Sequence, residues 1–210
     1  MKNTWMIYGA NGYTGRLIAA EAVRRGHTPI VAGRNQVVLD EIGRSLGLPT
    51  RAFACEDSDV VAKNLEDVAL VLHCAGPFVA TSAPMFSGCL KSETHYLDIT
   101  GEIAVFESIL TRGQDCKAAG IVAIPGAGFD VVPTDFLAAI LKKRLPDAVS
   151  LSMGMKSSGV VSPGTLKTMI ESLDASGVVR RNGKLELVSS TYRVREIRYR
   201  DRIETSVTIP

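Results

Sequence analysis

The sequence predicts an α/β protein: a doubly wound parallel (Rossmann) sheet over residues 1–128, then an incomplete α+β domain over 129–210. Three observations predict it. Strand-like and helix-like runs alternate from Thr4 to Ile124 with short connections. The first strand runs straight into Gly9, Gly12 and Gly15, and a helix-like run follows. After Gly126 the alternation gives way to one strong helix and then strand-like runs.

The elements follow in order. The first strand begins at Thr4 and ends at Gly9. Helix Thr14–Arg25 carries Leu17, Ile18, Ala22 and Val23 at helical spacing and stops at Gly26. Strand Pro29–Ala32 completes a strand–helix–strand unit. Val37–Leu46 is helical, Arg51–Phe53 a short strand, and Asp59–Leu65 a short helix with Ser58 as its expected cap. Ala69–Ala75 is a continuous apolar strand of the kind buried on both faces. Helix Pro84–Lys91, strand His95–Ile99, helix Ala104–Ala118 and strand Ile121–Ile124 complete the sheet. Beyond it, helix Pro133–Leu145 puts Phe136, Leu137, Ile140 and Leu141 on one face. Val149–Met155 reads as a strand and Pro163–Leu173 as a helix. Gly177–Leu187 and Tyr192–Ile209 read as strands, with a turn at Asn182-Gly183. The last run stops at Ile209-Pro210 with no closing helix, so a chain shorter than a complete protein of its kind is expected, with exposed strand edges and self-association through the second domain.

The glycines carry chemistry. Gly9 turns the chain off the strand, Gly12 lets backbone approach a pyrophosphate, and Gly15 lets the helix pack close. With Ala10, Asn11, Tyr13 and Thr14 they form a candidate dinucleotide loop whose helix N-terminus faces the phosphates. A turn serving packing alone is the bland alternative. The second strand ends in Ala32-Gly33-Arg34-Asn35, with no acid before Asp40. An acid there would accept from a ribose 2′-OH; Arg34 instead suits a 2′-phosphate, so Gly33, Arg34 and Asn35 point to NADP rather than NAD.

Composition narrows the classes. Hydrophobic residues make up 46% of the 210, which argues against a disordered chain. The net charge of +2 gives no nucleic-acid signature. Val68–Leu90 lacks Lys, Arg, Asp and Glu but is broken by Pro77, Pro84, Gly76 and Gly88, so no transmembrane segment is expected. The first strand starts too near Met1 for a signal peptide. Cys55, Cys74, Cys89 and Cys116 show no paired spacing, and no metal-ligand cluster is expected. A cytoplasmic location follows.

Longer blocks match a known family. Gly-Ala-Asn-Gly-Tyr-Thr-Gly-Arg at 9–16, Ala-Gly-Arg-Asn at 32–35, His-Cys-Ala-Gly-Pro-Phe at 73–78 and His-Tyr-Leu-Asp-Ile-Thr-Gly-Glu at 95–102 resemble the saccharopine dehydrogenase-like NADP-binding family. Pro-Gly-Ala-Gly-Phe-Asp-Val-Val-Pro-Thr-Asp at 125–135 and Ser-Pro-Gly-Thr at 162–165 extend the likeness. Its nearest branch contains trans-acting enoyl reductases of lipid synthesis. The resemblance implies an NADPH-dependent oxidoreductase passing hydride to a C=C, C=O or C=N bond of a small molecule, with an acyl or lipid-like substrate favoured. A non-catalytic NADP-binding or partner-binding module, or an amino-acid imine reductase, is the alternative.

Each block falls where a parallel sheet places its cleft, at a strand's carboxyl end. Ala75, Gly76, Pro77 and Phe78 are candidates for the nicotinamide side, with Phe78 as a wall for the ring. Gly126, Gly128 and Phe129 are candidates for a loop against nicotinamide. Reduction also needs a proton. Tyr96 is the first candidate donor, with Asp98 and Glu102 orienting groups; an ordinary strand aromatic and a structural acid are the alternatives. Asp130 is either catalytic or a helix cap. Ser162, Gly164 and Thr165 either line the substrate side or cap a helix. His73 reads as a core histidine.

Overall fold

Met6, Ile7 and Tyr8 are all buried, as a strand covered on both faces requires. They form the middle of β1 in a computed structural model that describes residues 2–154, 177–189, 191–199 and 202–207. The chain divides into two compact units, Met1–Pro146 and Asp147–Pro210.

Unit 1 runs β1 (Thr4–Tyr8), α1 (Tyr13–Arg24), β2 (Ile30–Gly33), α2 (Gln36–Leu46), β3 (Thr50–Ala52), α3 (Ser58–Asn64), β4 (Val68–His73) and α4 (Phe78–Ser92). It continues with β5 (His95–Asp98), α5 (Ile103–Leu110), α6 (Gly113–Ala119), β6 (Ala123–Ile124) and α7 (Val132–Arg144). The six strands lie in the order β3-β2-β1-β4-β5-β6, all parallel. This is the doubly wound sheet that the alternation predicts. On one face Ile7 and Val31 pack against Ala19, Leu39 and Ile42 of α1 and α2. On the other, Met6, Tyr8, Val71 and Tyr96 meet Val61, Met85, Phe86, Val105 and Ile109 of α3, α4 and α5. Among the described residues no helix is long and apolar enough to cross a membrane.

Several elements depart from expectation, each for a traceable reason. Helix α4 begins at Phe78, not Pro84, which lies inside it; its start is held by a distant carboxylate described below. The single helix expected over 104–118 is two. Arg112 breaks it: its guanidinium sits 5.1 Å from the Phe86 ring centroid and donates to Ser87, and Gly113 follows. Helix α3 is capped by Asp57, whose Oδ1 accepts from Asp59 N at 2.7 Å, while Ser58 accepts from Lys91. The apolar face expected on α7 is not buried; Phe136 is 67% exposed.

In unit 2, residues 149–154 form no strand, contrary to expectation; their apolar side chains are exposed, and Ser152 Oγ accepts from Arg195 at 2.9 Å. Position 155 and the helix expected over 163–173 lie outside the described residues, as do Ser162, Gly164 and Thr165. Strands β7 (Gly177–Arg181) and β8 (Lys184–Val188) form a hairpin whose turn is Asn182-Gly183, both at positive φ. The long run beyond Tyr192 folds into a second antiparallel pair, β9 (Val194–Tyr199) and β10 (Arg202–Val207).

Candidate functional site

Strand order reverses between β2-β1 and β4-β5, so the crevice of a doubly wound sheet falls where β1 and β4 end. The two loops leaving those strands touch backbone to backbone. Gly9 has φ +86°, and a Cβ on it would lie 2.8 Å from Ala75 N. Its N–H and that of Ala10 both donate to Ala32 O, at 2.8 and 3.1 Å. A Cβ on Gly15 would lie 2.3 Å from Gly9 O, so α1 can sit on the loop only with glycine there. Gly12 differs: the nearest atom to its missing Cβ is Gly9 O at 3.3 Å, and the residue is exposed.

Helix α1 therefore starts bare. No side chain caps it, and its first turn holds no acid. An uncapped helix N-terminus with a permissive glycine before it is suited to a phosphate. Tyr13 and Thr14 stand exposed in that first turn, while Ala10 is buried and faces the crevice through backbone only. Asn11 lies across the end of β2: a Cβ on Gly33 would be 2.9 Å from its Oδ1. The room made by Gly33 is thus taken by Asn11.

Arg34 projects from the end of β2, 75% exposed. Its Nη1 is 3.7 Å from Glu56 Oε1. No acid stands close to Arg34 along the chain before Asp40; the fold brings Glu56 from beyond β3. Asp40, the nearest acid in sequence, is occupied with Gln36 and Thr50 at 2.6 and 3.1 Å. Asn35 caps α2, its Oδ1 accepting from Val38 N at 3.3 Å.

The β4 side is built differently. Gly76-Pro77 is a cis peptide and Gly76 is exposed at the loop tip. Phe78 does not wall the crevice as expected. Its ring is buried, edge-on to His73 at 5.3 Å between centroids, because α4 turns it into the core. The start of α4 is filled by Glu102, whose Oε1 accepts from Phe78 N at 2.9 Å and Oε2 from Val79 N at 2.6 Å. Thr81 in the same turn donates to Ala75 O at 2.7 Å. Its proton being used, His73 Nε2 must carry the proton shared with Thr81 Oγ1 at 2.9 Å. The other nitrogen, Nδ1, is buried and has no hydrogen-bond partner among the described residues. Burial alone pushes the His73 pKa down to about 3, so the ring is neutral.

Tyr96 and Asp98 point into the core rather than into the open crevice. Both are fully buried, and the Tyr96 hydroxyl donates to Asp98 Oδ2 at 2.7 Å. Burial and the Asp98 charge push the Tyr96 pKa far above its ordinary value, so the hydroxyl keeps its proton and gives it to the Asp98 hydrogen bond. Strand alternation turned both inward; the sequence could not say which face lay under α4. Asp98 Oδ1 accepts from Thr100 N at 3.0 Å and Gly126 N at 2.7 Å. Thr100 Oγ1 in turn accepts from Glu102 N at 3.0 Å. The block 95–102 is a scaffold that ends in the carboxylate capping α4.

The same scaffold places the loop after β6. Ala127 N donates to Asp98 O at 2.7 Å, and Gly128 lies against Ile99, its missing Cβ 3.0 Å from Ile99 Cβ. Beyond these fixed points Phe129 is 78% exposed. Asp130 is exposed too, and it is no cap: no side chain caps α7. Its Oδ2 faces Gly101, 3.9 Å from a Cβ placed there.

A bare helix start, glycine loops and an exposed arginine at neighbouring strand ends fit a dinucleotide phosphate. Comparisons agree. A mouse saccharopine dehydrogenase-like oxidoreductase is 27% identical over 206 residues, covering 84% of this chain and 47% of that protein. The trans-acting enoyl reductase of Mycobacterium leprae is 29% identical over 148 residues, 67% of this chain and 35% of that one. The chain thus spans about half or less of the curated relatives it matches. Among solved structures, apo saccharopine dehydrogenase of Saccharomyces cerevisiae superposes with TM-score 0.63 at 13% identity, over 96% of this chain and 48% of that one, a likeness of fold. The saccharopine dehydrogenase NADP binding domain family matches residues 5–124, and this chain belongs to it.

Proposed function

We propose that unit 1 holds NADPH for an oxidoreductase that reduces a C=C, C=O or C=N bond. The uncapped start of α1 beside Gly12 carries the reading, since it is a phosphate site with no internal anion. In it the backbone of residues 9–15 and α1 take the pyrophosphate. Arg34 takes the 2′-phosphate, and Asn35 adds its amide nearby. Ala75, Gly76 and Pro77 line the nicotinamide side, with Gly126, Gly128 and Phe129 opposite. When bound, the cofactor supplies the hydride. Asp98 orients the loop at 126–128 through backbone N–H groups. Asp130 is the exposed acid of this region and takes the role of proton handler.

Similarity to an enoyl reductase favours an acyl or lipid-like substrate over an amino-acid imine. Burial of Tyr96 favours a second reading, a cofactor-holding module without turnover, because it takes the first candidate proton donor out of the open crevice. Four unpaired cysteines support a reducing, cytoplasmic compartment. Exposed Leu187, Val194 and Ile203 support self-association through unit 2.

Fluorescence titration with NADPH and NADH tests the cofactor reading. NADPH is expected to bind more tightly than NADH, and Arg34→Asp to reverse the order. Binding of neither would remove the reading. An acyl-substrate screen of this chain beside a longer version then separates enzyme from module.

A further inference from the structure

Arg34 and Glu56 lie just past the carboxyl ends of β2 and β3, which are paired neighbours. Their side chains are 75% and 65% exposed, with the charged ends 3.7 Å apart. Beneath them sit the Tyr8 hydroxyl, which donates to Phe53 O at 3.0 Å, and the buried Cys55. Burial is the main reason that the Tyr8 and Cys55 pKa values stand above their ordinary ones, with Glu56 adding to the rise and Arg34 opposing it. The ion pair stands past the ends of β2 and β3, on the side of β1 away from β4, which in a doubly wound sheet is the side that receives the adenosine half of a dinucleotide.

An exposed pair of this length adds little to folding. Its consequence falls on what Arg34 is free to bind. A 2′-phosphate must take the guanidinium fork away from Glu56 and then sit near that carboxylate. A free ribose 2′-OH meets no such cost, and Glu56 is an acceptor of the type an NAD site uses. We propose that Glu56 sets the cofactor selectivity of this site, lowering the preference for NADPH over NADH by competing for Arg34 and repelling the 2′-phosphate. The proposal rests on the reading of unit 1 as an NADPH holder and names the residue that limits its preference.

The test is calorimetric titration of the 210-residue chain and its Glu56→Gln variant with NADPH and with NADH, at low and high salt. Thermal melts of both proteins check the fold of this exposed position. Glu56→Gln is expected to tighten NADPH about two- to fivefold, to leave NADH unchanged or weaker, and to lose the gain at high salt. Unchanged or weaker NADPH binding in the variant overturns the proposal, as does an equal gain for NADH. Wild-type protein that binds NADPH beside a flat variant overturns this proposal alone. Wild-type protein that binds neither cofactor overturns the underlying reading and this proposal with it.

Discussion

Helices α1 and α4 begin at the ends of adjacent strands, yet their first turns are finished in opposite ways. The residue before α1 is Gly12 and the one before α4 is Pro77. Neither side chain can cap a helix. At α4 the free N–H groups of Phe78 and Val79 are taken by the Glu102 carboxylate, supplied from beyond β5. At α1 no side chain among the described residues takes them. One helix start is satisfied from inside the protein and the other is left open, which is what the proposed phosphate site requires. The difference teaches that a helix N-terminus becomes a ligand site through what the rest of the fold withholds from it.

The strongest way to break the comparison is to make α1 resemble α4. Gly12 has extended backbone angles that aspartate adopts freely. Gly12→Asp should weaken NADPH binding about a hundredfold or more, since the new carboxylate both caps α1 and repels the pyrophosphate. Stability should move by less than about 1 kcal/mol. Calorimetry for the first and chemical denaturation for the second check it; a variant that still binds NADPH tightly would place the phosphates elsewhere.

The reverse change empties α4. Glu102→Ala removes two charge-assisted hydrogen bonds and should cost about 2 kcal/mol of stability, read as a lower denaturation midpoint. Glu102→Gln should recover part of it. An unchanged midpoint in Glu102→Ala would mean that water serves α4 equally well.

His73, beneath the same turn, adds a pH dependence. Its folded pKa of about 3 lies below the ordinary value of 6.5. Above about pH 6.5 the ring is neutral in both states and its burial costs no proton. As pH falls, the unfolded chain binds a proton that the folded one refuses. Stability should therefore fall from about pH 6.5 downward, by about 2 kcal/mol at pH 5 from this group. Denaturation curves across that window should flatten in His73→Gln; equal slopes would assign the acid sensitivity to other groups.

The smallest effect concerns the scaffold that carries Glu102. Tyr96→Phe removes one hydrogen bond to Asp98 and should cost about 1 kcal/mol. NADPH affinity should stay within about twofold, an allowance smaller than one ordinary hydrogen bond. In a longer version with turnover, kcat should also hold. A large loss of kcat with stability intact would return Tyr96 to the chemistry.

Much of this molecule was legible in the chain. The strands and helices of unit 1 could be read because apolar periodicity is local, and Asn182-Gly183 marked its hairpin because few residues accept positive φ there. The misreadings share one cause. Tyr96 and Asp98 looked like cleft residues because alternation tells that two side chains share a face but not what covers it. Helix α4 was started too late because its cap lies beyond the next strand. Arg34 looked free of acids because Glu56 is distant along the chain.

By itself, then, the sequence determined the αβ alternation, the turn off β1 and the glycine loop that leads into α1. Each depends on backbone freedom and side-chain type within a few residues. Only the tertiary structure decided which helix start is filled, which acid faces Arg34 and which polar side chains are sealed under α4. Those depend on β1 and β2 lying beside β4 and β3 in the sheet, and strand order is set by how whole faces bury one another rather than by any local pattern.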